Sequence, residues 1–322
     1  MDLNNLFSQY NDEKKLSKEI LDKIKEKIEV LTDEIKTSYD QQSLSTIYLG
    51  SYKTNTCVEY KDKAYDIDLG LRLNIKESEL YKTDASQVKS DIFNAIYEIR
   101  EKKIKKPCIT VVYYKEDKPQ YHIDIPVYAY DDQTDTYYHA QGDLDDCKWI
   151  KCEPGKLIEF LSKANSSNII NDHYRMTIRF LKLWKSKVFS SLSKKSCPPS
   201  IAINITARNV FAKYTSTQDF IEYLLDVVNK LKKQINYHQV SLTNPYLPYN
   251  DIFYKMNEKT ESIREYNNKI DELIEGLNEV KQVTSLEEKA KILKRYFPDF
   301  PLPEKEKVDK SVNPSGTYGI TF

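Results

Sequence analysis

The sequence predicts an α+β chain in which a mixed sheet, preceded by a long N-terminal helix, packs on a C-terminal helical lobe. Three observations carry this expectation. Apolar residues recur at helical spacing near the start, at Leu16, Ile20, Ile24, Ile28, Leu31 and Ile35. Alternating apolar and polar residues then mark strands up to about residue 130, and beyond about residue 150 the helical period returns. A mixed first half followed by helices is the order of an α+β architecture.

The elements follow in chain order. After the first helix, "LSTIYL" (44–49) reads as a strand that stops at Gly50-Ser51, in a chain with only 7 glycines. Glycine there permits a tight turn and close approach of a ligand to the backbone. In "YDIDLGLRL" (65–73), Ile67, Leu69, Leu71 and Leu73 share one strand face, which leaves Asp66 and Asp68 together on the other. Val88, Ile92, Ile96 and Ile99 mark a second helix. "PCITVVYY" (107–114) and "YHIDIPVYAY" (121–130) read as strands, joined as an antiparallel hairpin by a turn at "DKP" (117–119). Asp124 is a third carboxylate on a strand, and Pro126 marks an edge or an end of pairing. Helices are expected over 173–189, around Phe220, Tyr223, Leu224, Val227 and Leu231, over Ile263 to Val280, and over Leu286 to Phe297. The expected organisation is a core at 1–165, a helical lobe at 166–300 and an extended tail at 301–322.

Composition narrows the function. With 322 residues and 40% hydrophobic content the chain can bury a sizeable core. Lys+Arg 49 equal Asp+Glu 49, so no overall basic field draws long nucleic acids. Cys57, Cys108, Cys147, Cys152 and Cys197 form no CxxC pair, and Cys147, Cys152 and His139 fit no zinc ribbon or finger, which leaves reduced thiols as the expectation. The start lacks the apolar core of a signal peptide and no run is long enough to span a bilayer. A cytoplasmic location without a membrane partner is expected.

Two carboxylates at i and i+2 on one strand face can bridge two Mg²⁺ ions, and a third from a neighbouring strand completes the set. Such a site keeps room for the phosphates of a nucleoside triphosphate. The alternative reading of Asp66, Asp68 and Asp124 is a row of solvent-facing strand carboxylates.

The run of strand, Gly-Ser, Asp-Ile-Asp on a strand, helix and Asp124 on a further strand resembles the nucleotidyltransferase superfamily of DNA polymerase β. Within it, "GSYKTNT", "YDIDLGL", "YHIDIPVYAY", "CKWIKCEPGKLIEFL", "YRMTIRFLKLWK", "PPSIAINI" and "NPYLPYNDIF" resemble the bacterial cGAS/DncV-like nucleotidyltransferases, the oligonucleotide cyclases of antiphage signalling. The resemblance runs from about residue 40 to 255. It implies a polymerase β-like sheet and a cleft that joins nucleoside triphosphates (ATP, GTP or pyrimidine nucleotides) into a cyclic di- or trinucleotide. It further implies that Asp66, Asp68 and Asp124 hold two Mg²⁺ ions, with Mn²⁺ as a substitute, and that Asp124 helps deprotonate the acceptor hydroxyl. Gly50 and Ser51 would hold the donor triphosphate, and Lys182 and Ser200 would contact its phosphates. Lys182 also reads as part of a solvated basic face with Arg175, Arg179 and Lys185, and Ser200 as a residue that merely starts a helix or strand. The position after that serine, a base-stacking tyrosine in some relatives, is Ile201, and no zinc cluster like that of the animal DNA sensor is present. A second reading keeps the carboxylates but transfers a nucleotide to a small molecule, an RNA end or a protein hydroxyl. The terminal "GTYGITF" resembles a handle for a regulatory or conjugating partner.

Overall fold

The computed structural model describes residues 2–39, 44–60, 64–162, 168–213, 219–236, 238–244, 246 and 251–304, with main chain only at 168–171. The terminal segment from 305, including "GTYGITF", and part of "NPYLPYNDIF" lie outside the described residues.

Two helices open the chain. Asp2 caps α1 (Leu3–Lys14) by accepting from Asn5 N, and Ser17 caps α2 (Lys18–Ser38) by accepting from Ile20 N. The sequence reading anticipated α2 and missed α1, although Leu3, Leu6, Phe7 and Tyr10 lie at helical spacing in it. Strand β1 (Leu44–Tyr48) leads into a four-residue helical turn, α3 (Gly50–Lys53), then β2 (Tyr65–Asn74). A 3-10 turn (Glu77–Lys82) precedes α4 (Ala85–Ala95). Six strands follow: β3 (Glu101–Ile104), β4 (Ile109–Lys115), β5 (Lys118–Ile125), β6 (Val127–Asp131), β7 (Thr136–Gln141) and β8 (Lys148–Cys152). Beyond them come α5 (Pro154–Ser162), α6 (Asn168–Val188), α7 (Ser200–Phe211) and α8 (Phe220–Lys232), the short pair β9 (Ile235–Asn236) and β10 (Gln239–Val240), and α9 (Tyr254–Asn257), α10 (Thr260–Gln282) and α11 (Leu286–Tyr296).

The main sheet has the order β3-β4-β5-β2-β6-β7-β8, with β1 antiparallel on β2. The first half of β2 pairs in parallel with β5 and the second half with β6, in one continuous register that sets Asp68 opposite Asp124 and Leu71 opposite Val127. The expected single strand over 121–130 is therefore interrupted at Pro126. The proline sits inside the sheet where the outer partner changes from β4 to β7, and its carbonyl still accepts from Leu71 N, so its missing N–H breaks no ladder. The hairpin turn lies at Glu116 and Asp117, both at positive φ, one residue earlier than "DKP", and Pro119 is already in β5. Strands β3, β7 and β8 were not anticipated.

Two cores result. Ile24, Ile28, Leu31 and Ile35 of α2 pack with Ile67, Leu69, Leu71 and Leu73 of β2 on one side of the sheet. The second core belongs to the helical lobe but recruits α1: Phe7 meets Phe220 and Phe300 at 4.8 and 5.7 Å, and Tyr10 OH donates to Pro298 O. We propose the division near residue 165 as the boundary in sequence, with α1 lying across it in space. Among the described residues no helix is long and apolar enough to cross a membrane.

Lys89 of α4 is fully buried and donates to Lys105 O, Lys106 O and Gly142 O at 2.7, 2.9 and 2.9 Å. One ammonium thus satisfies three carbonyls, with no donor to spare. Lys89→Met keeps the length but takes the ammonium from all three carbonyls, of which Lys105 O and Lys106 O keep a main-chain donor in Cys108 N and Gly142 N, and should lower stability by ~2 kcal/mol in a denaturant titration.

Candidate active site

The carboxylates emerge from the register just described. Ile67 and Ile123 fill the core, so Asp66 and Asp68 of β2 and Asp124 of β5 stand on the opposite face, with Asp66 beside His122 and Asp68 beside Asp124. Burial first, then the charges of Asp124 and Asp66, push the Asp68 carboxyl up to about 6, and Lys182 acts in the opposite sense. Asp124 Oδ1 accepts from Thr110 Oγ1 across the β4–β5 pair and lies 3.5 Å from Lys105 Nζ. Asp66 is turned outward, its side chain 88% exposed and 3.4 Å from His122 Nδ1.

The Gly-Ser turn lies directly against Asp68. Leu49 N donates to Asp68 O, and Gly50 follows at φ +55. A Cβ built on Gly50 would stand 1.8 Å from Asp68 Oδ2, so the missing side chain is what lets the carboxylate rest on the turn. Ser51 Oγ is 3.3 Å from Cys57 Sγ.

Two cations of α6 grip the loop beyond that turn. Arg179 donates to Asn55 O and Cys57 O and to Asn11 Oδ1 of α1, and Lys182 Nζ donates to Thr56 O at 2.9 Å. Arg179 and Lys182 are 2% and 7% exposed, so this face is buried rather than solvated. Burial above all lowers the Lys182 ammonium to about 8, with Lys185 and Arg179 acting in the same sense and Cys57 and Asp68 opposing it. Ser200 is the first residue of α7, as the helix-start reading expects, and its Oγ accepts from Lys185 Nζ at 2.8 Å.

Gly50, Ser51, Asp66, Asp68, Asp124, Lys182 and Ser200 all line one cavity of about 440 Å³. Its size is that of a small-molecule site. Sequence reasoning missed Thr110, Lys105, His122, Lys185 and Asn204 around it. Counting the antiparallel register straight back from the hairpin turn would set Thr110 opposite Ile123; a bulge at Tyr113–Tyr114 moves it to Asp124, and the others depend on contacts distant in sequence.

Among the described residues no three His, Cys, Asp or Glu side chains converge closely enough to hold an ion as they stand. This covers Cys147, Cys152 and His139, whose Nε2 is engaged with Pro107 O. The aspartates nonetheless suit a hard divalent cation. The donors are all oxygen, Asp68 is crowded by like charge, and Asp66 lines the same cavity beside it.

Residues 46–128, which carry β1, the Gly-Ser turn, β2 and β5, match the family described as cyclic GMP-AMP synthase DncV-like, nucleotidyltransferase domain. That segment is similar to a DncV-like nucleotidyltransferase domain. The whole structure is similar to Bradyrhizobium diazoefficiens CD-NTase CdnG in complex with GTP, with a TM-score of 0.71 at 13% identity over 91% of this chain and 95% of that one. It is similar also to E. coli MS115-1 CdnC with ATP (TM-score 0.67, 12% identity, 93% and 98% covered). Against Vibrio cholerae DncV cyclic AMP-GMP synthase, a prokaryotic cGAS homolog, the TM-score is 0.61 at 17% identity over 83% and 72% of the chains. At these identities the likeness shows a shared fold, a polymerase β-like mixed sheet on a helical lobe.

Among the described glycines Gly50 meets the shortest contact for an added side chain. Gly50→Ala should displace Asp68 and strain the positive φ at a cost of ~1–2 kcal/mol. The protein should still fold, and its affinity for a nucleoside triphosphate, titrated by calorimetry with Mg²⁺ present, should fall at least about tenfold.

Proposed function

We propose that this protein is a nucleotidyltransferase that joins nucleoside triphosphates into a cyclic di- or trinucleotide signal of antiviral defence, releasing pyrophosphate. The observation that carries the reading is the convergence in one cavity of the Gly50-Ser51 turn, the paired Asp68 and Asp124, and Lys182 from the opposite lobe. The relatives solved with GTP and with ATP, and DncV described as a cyclic AMP-GMP synthase, support the same class.

Gly50 and Ser51 receive the donor triphosphate, where the bare Cα allows close approach and the hydroxyl and main chain donate hydrogen bonds. Lys182 and Ser200 meet the β and γ charges from the other wall. Asp66, Asp68 and Asp124 would hold two Mg²⁺ ions, which when bound acidify the acceptor hydroxyl and neutralise charge on the leaving group. The acceptor oxygen bonds to the donor α-phosphorus as the bond from that phosphorus to the pyrophosphate oxygen breaks. Asp124 takes the hydroxyl proton: Thr110 and Lys105 both engage Oδ1 and hold the carboxylate in place, so the other oxygen faces the acceptor. A second transfer within the linear intermediate closes the ring.

Incubating the protein with each labelled triphosphate and Mg²⁺ and then with phosphatase tests this, because a ring has no terminal phosphate to remove. Phosphatase-sensitive products, or label attached to another acceptor, would instead indicate the alternative transferase. Asp124→Asn should cut joining by about 10²–10⁴ while triphosphate binding persists, because it removes the proton acceptor at almost constant volume. Asp66→Asn and Asp68→Asn should lose both. An Asp124→Asn protein working at the parent rate would remove Asp124 from the mechanism. Lys182→Ala should weaken binding of ATP more than of AMP, since the ammonium serves the outer phosphates, and equal losses would show that it serves only Thr56.

A further inference from the structure

Helix α1 carries a polar residue where its apolar stripe should continue. Leu3, Leu6, Phe7 and Tyr10 lie at helical spacing, and the next position on that stripe is Asn11, 4% exposed. Asparagine is a poor helix former, and a leucine there would bury more apolar surface, so neither propensity nor packing accounts for it. Its Oδ1 accepts from Arg179 Nη1 at 2.8 Å. The same guanidinium donates to Asn55 O through Nη2 at 2.5 Å and to Cys57 O through Nε at 3.3 Å. All three acceptors are neutral oxygens, so geometry rather than ion pairing aims the group. Because a guanidinium is rigid and planar, fixing one of its N–H groups fixes the direction of the others.

The two carbonyls belong to the short loop that shapes the Gly-Ser turn. Asn55 stands at φ +54, a left-handed conformation that asparagine tolerates, and residues 54–57 fold back over 50–52. Thr54 donates to Gly50 O from both N and Oγ1, Thr56 N donates to Ser51 O at 2.9 Å, and the two threonine hydroxyls lie 2.9 Å apart. Across a planar trans peptide the N–H points opposite the C=O. Holding Gly50 O and Ser51 O therefore fixes the directions of Ser51 N–H and Tyr52 N–H, the main-chain donors of the turn. The loop is tied to α1 a second time, where Glu59 N donates to Lys14 O at 2.9 Å. Neither Asn11 nor Arg179 lines the cavity.

We propose that Asn11 is a positioning residue for the donor triphosphate: acting through Arg179, it sets the main-chain donors of the Gly50-Ser51 turn from outside the cavity. The inference rests on the nucleotidyltransferase reading and adds to it a residue of the first helix that touches neither nucleotide nor metal. Without the amide oxygen the guanidinium, at the end of a long flexible side chain, loses the one acceptor that stands on a helix and follows the loop instead of holding it. Lys182 still reaches Thr56 O, so the loop loosens without detaching. The turn then samples orientations in which its amides miss the phosphates, and the fold is kept.

The test is calorimetric titration of the full chain with ATP and with inorganic tripolyphosphate in Mg²⁺, at a temperature where every variant is folded. Asn11→Leu keeps the volume and the helix and should bind both ligands about tenfold more weakly than the parent. Asn11→Asp keeps an acceptor for Arg179 and should bind within about twofold of the parent. Phe7→Leu, one turn earlier on the stripe, loosens the packing of α1 on Phe220 and Phe300 without touching Arg179, so it should melt lower than the parent yet bind both ligands as the parent does. Arg179→Lys keeps the charge and loses the fork; it should match Asn11→Leu, and the double variant should bind no more weakly than either alone, because both cut the same link. Parent affinity in Asn11→Leu, equal weakening in Phe7→Leu, a failed rescue by Asn11→Asp, or additive losses in the double variant would overturn the proposal. A parent that binds neither ATP nor tripolyphosphate would overturn the nucleotidyltransferase reading itself, and Asn11's role with it.

Discussion

One pairing governs the molecule: β2 runs beside β5 and then β6 without a change of register. Because side chains alternate, the register that buries Ile67 against Ile123 must also set Asp68 beside Asp124 on the other face. Apolar burial outweighs the repulsion between the carboxylates, since a slip of one residue would expose Ile67, Leu69, Leu71 and Leu73 together. Like-charge proximity is thus imposed on the cavity by the core behind it. Pro126 divides the outer edge of this pairing, giving β4 to the first segment and β7 to the second, so Thr110 pairs with Asp124 before the proline and His139 with Tyr128 after it.

The helical lobe answers that negative face with buried cations. Arg179 and Lys182 have left water for main-chain carbonyls of residues 55–57, whose hydrogen bonds offset part of the cost of burying the charge. Those carbonyls belong to the loop that follows the Gly-Ser turn. The grip therefore sets the turn against Asp68 from one side while the sheet sets Asp68 against the turn from the other.

What was legible in the sequence was whatever broke a local rule. Asp66, Asp68 and Asp124 interrupt apolar strands, and Gly50 ends one abruptly in a glycine-poor chain, so each stood out without knowledge of its neighbours. Helices α2, α6, α8, α10 and α11 were equally readable from long apolar periods. The rest depended on partners far along the chain. β3 is a four-residue, lysine-rich strand at a sheet edge, and β7 and β8 show no clean alternation because both of their faces are partly covered. The basic stripe of α6 has the pattern of a solvated face and becomes a buried one only through residues 55–57, more than a hundred positions earlier. Asn204 breaks the apolar pattern of its helix quietly, since a single asparagine is unremarkable until its oxygen proves to be alone.

Helix α1 packs in the lobe and α2 on the sheet, so the chain passes between the two cores at residues 15–17 and again between β8 and α6. The loop between β1 and β2 reaches across as well, since Val58 belongs to the lobe's core while the strands that flank it belong to the sheet. Arg179 and Lys182 hold their carbonyl partners on that loop, so the two cores are tied together at the place where the cavity is built.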